Sequence, residues 1–82
     1  MPRIKGWKKI KDTKYEKMWI HSNGKTMIDL VHNPNFRSWD VGIYRSDNGK
    51  FSFLDIIEIE NFDNKKNALK FVKEWMKKHP NG

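Results

Sequence analysis

Apolar and polar positions alternate with a period of two through the middle of the chain, then switch to a helical period near its end. Tyr15–His21 is rich in aromatic and aliphatic residues and reads as a strand. Ser22-Asn23-Gly24-Lys25 follows, and Asn-Gly between two such runs is a strong hairpin signal. Thr26–His32 is then the return strand. With a two-residue loop at Asn23-Gly24, Trp19 lies opposite Ile28 and Met18 opposite Asp29. One face then holds Tyr15, Lys17, Trp19, Ile28 and Leu30; the other holds Glu16, Met18, Ile20, Met27, Asp29 and Val31.

Asn33-Pro34-Asn35 punctuates the chain as a turn. Arg37–Arg45 is the next strand, with Trp39, Val41 and Ile43 on one side and Tyr44 on the other. A second Asn-Gly pair, Asn48-Gly49, leads into a strand over Phe51–Ile59. Leu54 and Ile56 are expected beside Trp39, Val41 and Ile43, and Phe51 and Phe53 beside Tyr44. The apolar phase slips at Ile56-Ile57, which implies a bulge or a strand end there.

From Asp63 to His79 the period becomes 3.6. Ala68, Leu69, Phe71, Val72, Trp75, Met76 and His79 fall within an arc of about 160°, and Lys66, Lys70, Lys73 and Lys77 within about 60° on the other side. Asp63 or Asn64 caps the start, and Pro80 ends the helix. The fold predicted is an α+β domain: an antiparallel four-stranded β-meander with two Asn-Gly hairpins, packed by one C-terminal amphipathic helix, in the order β-β-β-β-α. The 82 residues form a single domain, with the sheet over 15–60 and the helix over 63–79. Residues 1–14 are a basic N-terminal arm or, over Trp7–Ile10, a short edge strand.

One helix covers one face of a sheet, and here both faces carry aromatic or aliphatic residues. If Trp39, Val41 and Ile43 lie under the helix, Tyr44, Phe51 and Phe53 are left over. In the reverse assignment Trp39 stays outside, beside Arg37 and Arg45. The surplus face has three possible uses: a dimer, a stacking platform for bases, or a cover made from the N-terminal arm with Ile4 and Trp7.

Charge narrows the picture. The net charge is +7, unevenly spread. Residues 1–17 have seven basic and two acidic side chains, and residues 63–82 have six and two. The middle has four basic and six acidic side chains, so the basic character sits at the two ends. Cationic ends attract polyanions, and nucleic acid releases counterions on binding them. A lysine surface also serves solubility alone. Lysine outnumbers arginine 14 to 3, which favours point-charge contact with phosphates over bidentate reading of bases.

The candidate chemistry is otherwise thin. There is no cysteine, and His21, His32 and His79 lack the spacing of a metal motif. No phosphate loop, nucleophile with a partner, or converging carboxylates can be picked out, so no enzyme, metal or cofactor is expected. No apolar run approaches a membrane span or a signal core, and the expected location is cytoplasmic or nucleoid-associated. Over Arg37–Met76 the strand-then-helix order loosely resembles small three-stranded DNA-reading domains, of the plant AP2 and integrase arm-binding types. The resemblance lies in element order alone, and no family motif is matched.

The function expected is low-specificity binding of nucleic acid, DNA ahead of RNA. Lys5, Lys8, Lys9, Lys17, Lys25, Arg37, Arg45 and Lys50 are the expected phosphate contacts. Trp39 or Tyr44, whichever faces outward, supplies stacking. The alternative is a protein-interaction or homodimerisation module that uses the spare aromatic face.

Overall fold

The computed structural model describes residues 6–82 and, of Phe53, the backbone alone. Five antiparallel strands follow one another as a simple meander in the order β1-β2-β3-β4-β5. They are β1 (Trp7–Asp12), β2 (Glu16–His21), β3 (Thr26–Asn33), β4 (Ser38–Arg45) and β5 (Ile56–Phe62). A single helix, α1 (Lys65–Lys78), closes the chain. The α+β class and the closing helix are as the sequence predicts, but the sheet has five strands rather than four. The extra strand is the basic N-terminal segment, which pairs with β2 from Trp7↔His21 to Asp12↔Lys17. Ile4 and Lys5 lie outside the described residues.

The first hairpin has the predicted register, with Trp19 opposite Ile28 and Met18 opposite Asp29. The turn itself is not the two-residue loop expected: the Gly24 N–H donates to the His21 carbonyl at 2.9 Å, so the chain turns over Ser22-Asn23, and Gly24 follows in left-handed geometry with φ 73°. The second Asn-Gly turn also forms, with Asn48 Oδ1 accepting from the backbone N–H of Lys50 at 2.9 Å. It does not lead straight into a strand. Ser52 and Asp55 form a reciprocal capping box around a short 3₁₀ turn, Phe53–Asp55, and delay β5 until Ile56. Leu54 is therefore 95% exposed rather than in the core. Ile56 pairs with Tyr44, on the face opposite to the one predicted for it. The phase slip at Ile57 is an irregularity in the β4–β5 register, where Ile43 pairs with Glu58 and Tyr44 with Ile56.

Directly paired residues on neighbouring strands share a face. Trp19, Ile28, Leu30, Val41 and Ile43 all turn toward α1 and are buried. Ala68, Val72, Trp75 and Met76 meet them from the helix, with Leu69 and Phe71 partly buried at its flanks. Lys66, Lys70, Lys73 and Lys77 remain exposed. The helix packs on β3, β4 and β5. Asn64 is the N-cap, its side chain accepting from the Asn67 N–H at 2.8 Å.

The chain end clasps the sheet corner where β1 begins. The indole of Trp7 donates to the His79 carbonyl at 3.1 Å and stands edge-on to Trp75. His21 Nδ1 accepts from the Asn23 N–H at 3.1 Å. That bond leaves Nε2 to carry the proton it donates to the Pro80 carbonyl at 2.8 Å. Asn23 adds a bond to the Asn81 carbonyl at 3.0 Å. Trp7 thus joins the core under the helix and does not cover the second face.

Candidate nucleic-acid interface

The residues singled out from the sequence are not brought to one place. Trp39 faces the helix side and Tyr44 the other side, because they lie five positions apart on β4. Lys9 and Lys17 share the helix side with Trp19, but Asp12 bridges both, at 3.3 Å to Lys9 and in close contact with Lys17. Lys9 also stands 5.7 Å from the centre of the Trp19 ring. Lys8 is on the opposite face, paired with Ile20. Lys25, Arg45 and Lys50 gather at one end of the sheet, where the Ser46 N–H donates to the Lys25 carbonyl at 2.8 Å. Arg45 there reaches the Gly82 carbonyl at 3.4 Å. Arg37 is at the other end, exposed in the β3–β4 turn, in left-handed geometry with φ 51°. Lys5 is outside the described residues.

The structure assembles something the residue-by-residue reading missed. At the Arg37 end of the sheet, on the helix side, three aromatic rings lie in a row, from the residue just before β2 across β3 to β4. Tyr15 stacks on His32, with ring centres 5.6 Å apart and planes 28° apart. His32 leans on Trp39 at 4.7 Å. Backbone pairing enforces the order: the His32 N–H donates to the Tyr15 carbonyl at 2.8 Å, and His32 is the direct partner of Trp39. Trp39 in turn pairs with Phe62, which packs on Phe71 of the helix. The row is therefore anchored in the core at one end and open at the other, where Tyr15 is 55% exposed. His32 and Trp39 are half-buried.

Two ammonium groups cap this row. Lys14 stands 5.5 Å from the Tyr15 ring centre and Lys65 5.4 Å from that of Trp39. The ion pairs among the described residues are Lys9–Asp12, Lys11–Glu16 and Lys17–Asp12. None of them involves Lys14, Arg37 or Lys65. The result is a strip of π-faces with unneutralised positive charge beside it. Half of the row was legible, since the first-hairpin register already sets His32 opposite Tyr15. The step to Trp39 needs the length of the β3–β4 turn, which Asn33-Pro34-Asn35 signals but does not fix.

Among the described residues no element lies over the opposite face of the sheet. Met18, Ile20, Met27, Val31, Tyr44 and Ile59 lie on it, with a shallow apolar recess between Met27, Tyr44, Phe51 and Ser52. Asp29 sits at its centre, and its Oδ1 is buried with no hydrogen-bond partner. Burial, then the neighbouring Glu16 charge, pushes the Asp29 carboxyl from the ordinary 3.8 up to about 7. Glu16 goes the other way, held down first by its bond with Lys11. The Tyr44 hydroxyl is raised by burial and then by Asp29.

Asp29 has a consequence for stability. Between about pH 4 and pH 7 the folded chain holds a proton that the unfolded chain has lost. Stability contributed by the protonated carboxyl is therefore full at low pH, falls as pH rises through this window, and is gone above it. Asp29→Asn is expected to raise unfolding stability at pH 8 by about 1–2 kcal/mol, discounted from the full shift because water reaches part of the group. Denaturant melts at pH 5 and pH 8 check this. The gain should be largest at pH 8 and about a third as large at pH 5, which lies about a third of the way through the window.

Among the described residues no three His, Asp or Glu side chains could hold a metal ion together. No helix among them is long and apolar enough to cross a membrane. The chain matches no family model, and no curated protein or solved structure matches it either.

Proposed function

We propose that the protein binds nucleic acid with little sequence preference, DNA ahead of RNA, by stacking unpaired bases on the Tyr15–His32–Trp39 row and holding phosphates with the lysines around it. The observation that carries this reading is the row itself: three rings in contact, open at one end, flanked by Lys14 and Lys65. Every base has a π-face, so such a row is tolerant of sequence and adds about 1–3 kcal/mol per stacked base. Arg37 lies exposed in the turn between His32 and Trp39, where the phosphates of a strand laid along the row pass. Lys66, Lys70, Lys73 and Lys77 extend the positive surface along the helix. Lys25, Arg45 and Lys50 form a second basic cluster at the far end of the sheet and serve longer strands. The compartment this reading implies is the cytoplasm, with the nucleoid as the place of action.

Fluorescence anisotropy with labelled 12-nucleotide single strands and duplexes tests it. Single strands should bind more tightly than duplexes, because only they offer unstacked bases. With about four phosphate contacts, single-strand affinity should fall about fifty-fold between 50 and 200 mM salt. Absence of binding at 50 mM salt, or an affinity that ignores salt, contradicts the reading.

A further inference from the structure

We propose that the sheet face turned away from α1 is covered by a second copy of this chain, in a two-fold, face-to-face dimer with Asp29 near the axis. The face is apolar and carries almost no net charge. Its charged positions are Lys8 and Lys11 on one side of the balance and Glu16, Asp29 and Asp40 on the other. The chain as a whole is +7, so two copies meet with less repulsion through a nearly neutral face like this one. The same balance argues against a polyanion here, and the stacking row lies on the opposite side of the sheet. Ile59 is 57% exposed on β5, and Met18, Ile20, Met27, Val31 and Tyr44 on the same face are only half-buried.

Area agrees with a modest dimer. Five strands about 4.8 Å apart, six to eight residues long, make a face of roughly 24 Å by 23 Å, or about 550 Å². Two copies then bury on the order of 1,000–1,300 Å² in total, the lower end of the range for specific interfaces.

The position of Asp29 makes the dimer sensitive to pH. It is halfway along β3, the central strand of five, so a two-fold axis through the middle of the face sets it near its counterpart in the second copy. Glu16 from β2, Lys11 from β1 and Tyr44 from β4 face it, Lys8 and Asp40 lie further out on the same face, and β5 adds Ile56, Ile59 and Asn61 but no titratable group. Two ionised carboxylates cannot be buried together, whereas one or two protonated ones can. Burial already raises the Asp29 carboxyl toward neutrality within one copy.

Sedimentation velocity of the full chain, without nucleic acid, at concentrations from about 5 to 200 μM tests this. At pH 6 a concentration-dependent dimer is expected, and at pH 8.5 its dissociation constant should rise at least tenfold. Ile59→Lys should be monomeric at 200 μM with unchanged circular dichroism, because that side chain is already more than half exposed. Met18→Lys, on the next strand but two, should behave likewise and guards against a folding defect in the first variant. Asp29→Asn should dimerise equally at both pH values. A wild-type chain that is monomeric at every concentration overturns the proposal, as does a dimer indifferent to both lysine substitutions.

Discussion

Trp75→Ala is expected to lower the free energy of unfolding by about 3–5 kcal/mol, the usual range for deleting a buried indole. Trp75 is the residue through which helix, first strand and chain end meet. Its ring is 8% exposed, stands edge-on to Trp7 at 5.9 Å and stacks on His79 at 3.7 Å. Its indole N–H donates to Glu58 Oε2 at 3.1 Å, tying α1 to β5. Truncation leaves a cavity lined by Trp7 and His79 and strips Glu58 of its donor. A domain of this length has a total stability of roughly 4–12 kcal/mol, so this one change removes a large fraction of it. The melting temperature should fall by at least about 12 °C. Trp75→Phe keeps most of the buried area and loses the bond to Glu58, and should cost only about 1–2 kcal/mol. Thermal melts of the two variants separate the packing contribution from the hydrogen bond. A Trp75→Ala protein that melts within a few degrees of the wild type contradicts this view of the core.

Trp39→Ala is expected to weaken single-strand DNA binding by about ten- to a hundredfold, the loss of one good stacking partner. The same substitution should change duplex binding little, since phosphate contacts do not need the indole. Tyr15→Ala should act in the same direction and, because His32 lies between the two rings, the double variant should lose less than the product of the single effects. Stability is the control. Trp39 is half-buried against Phe62, so Trp39→Ala also loosens the fold, and binding has to be measured where circular dichroism shows both proteins folded. Tyr15 is more than half exposed and carries no such complication.

The sequence was most legible where local signals were strong. The helix is legible in its period and its end in Pro80, while of the two caps the sequence allows, Asp63 and Asn64, the structure uses Asn64. The register of the first hairpin is legible because the strands on both sides of Asn23-Gly24 alternate cleanly, although the turn between them is longer than two residues. The second hairpin failed at one point. Asn48-Gly49 turns the chain as expected, but Ser52 and Asp55 then spend four residues on a capping box, and the apolar run Phe51–Leu54 masked it. The spacing of a serine three residues before an acid is itself a sequence signal, and it locates the delay.

The fifth strand was harder to see. Lys8, Lys9 and Lys11 leave only Trp7 and Ile10 as apolar positions, and the irregularity between Lys9 and Lys11 breaks the alternation that marks a strand. The candidate site was legible only in part for a different reason. Trp39 was picked out for itself, whereas Tyr15 and His32 became interesting only as its neighbours, and neighbours across strands depend on register. Lys14 and Lys65 lie at element boundaries, where no periodicity points to them.

Trp39 also supplies the most direct test of the central proposal. Trp7, Trp19 and Trp75 are buried in the core, so Trp39 is the indole a ligand on the helix side can reach. Titrating the protein with a short single strand at low salt, while following tryptophan emission, is the measurement to make. A saturable quench that falls with added salt, and that disappears in Trp39→Phe while binding by anisotropy is largely kept, is the expected result. Binding with no change in emission, or a quench that persists in Trp39→Phe, places the nucleic acid elsewhere and contradicts the stacking row as its site.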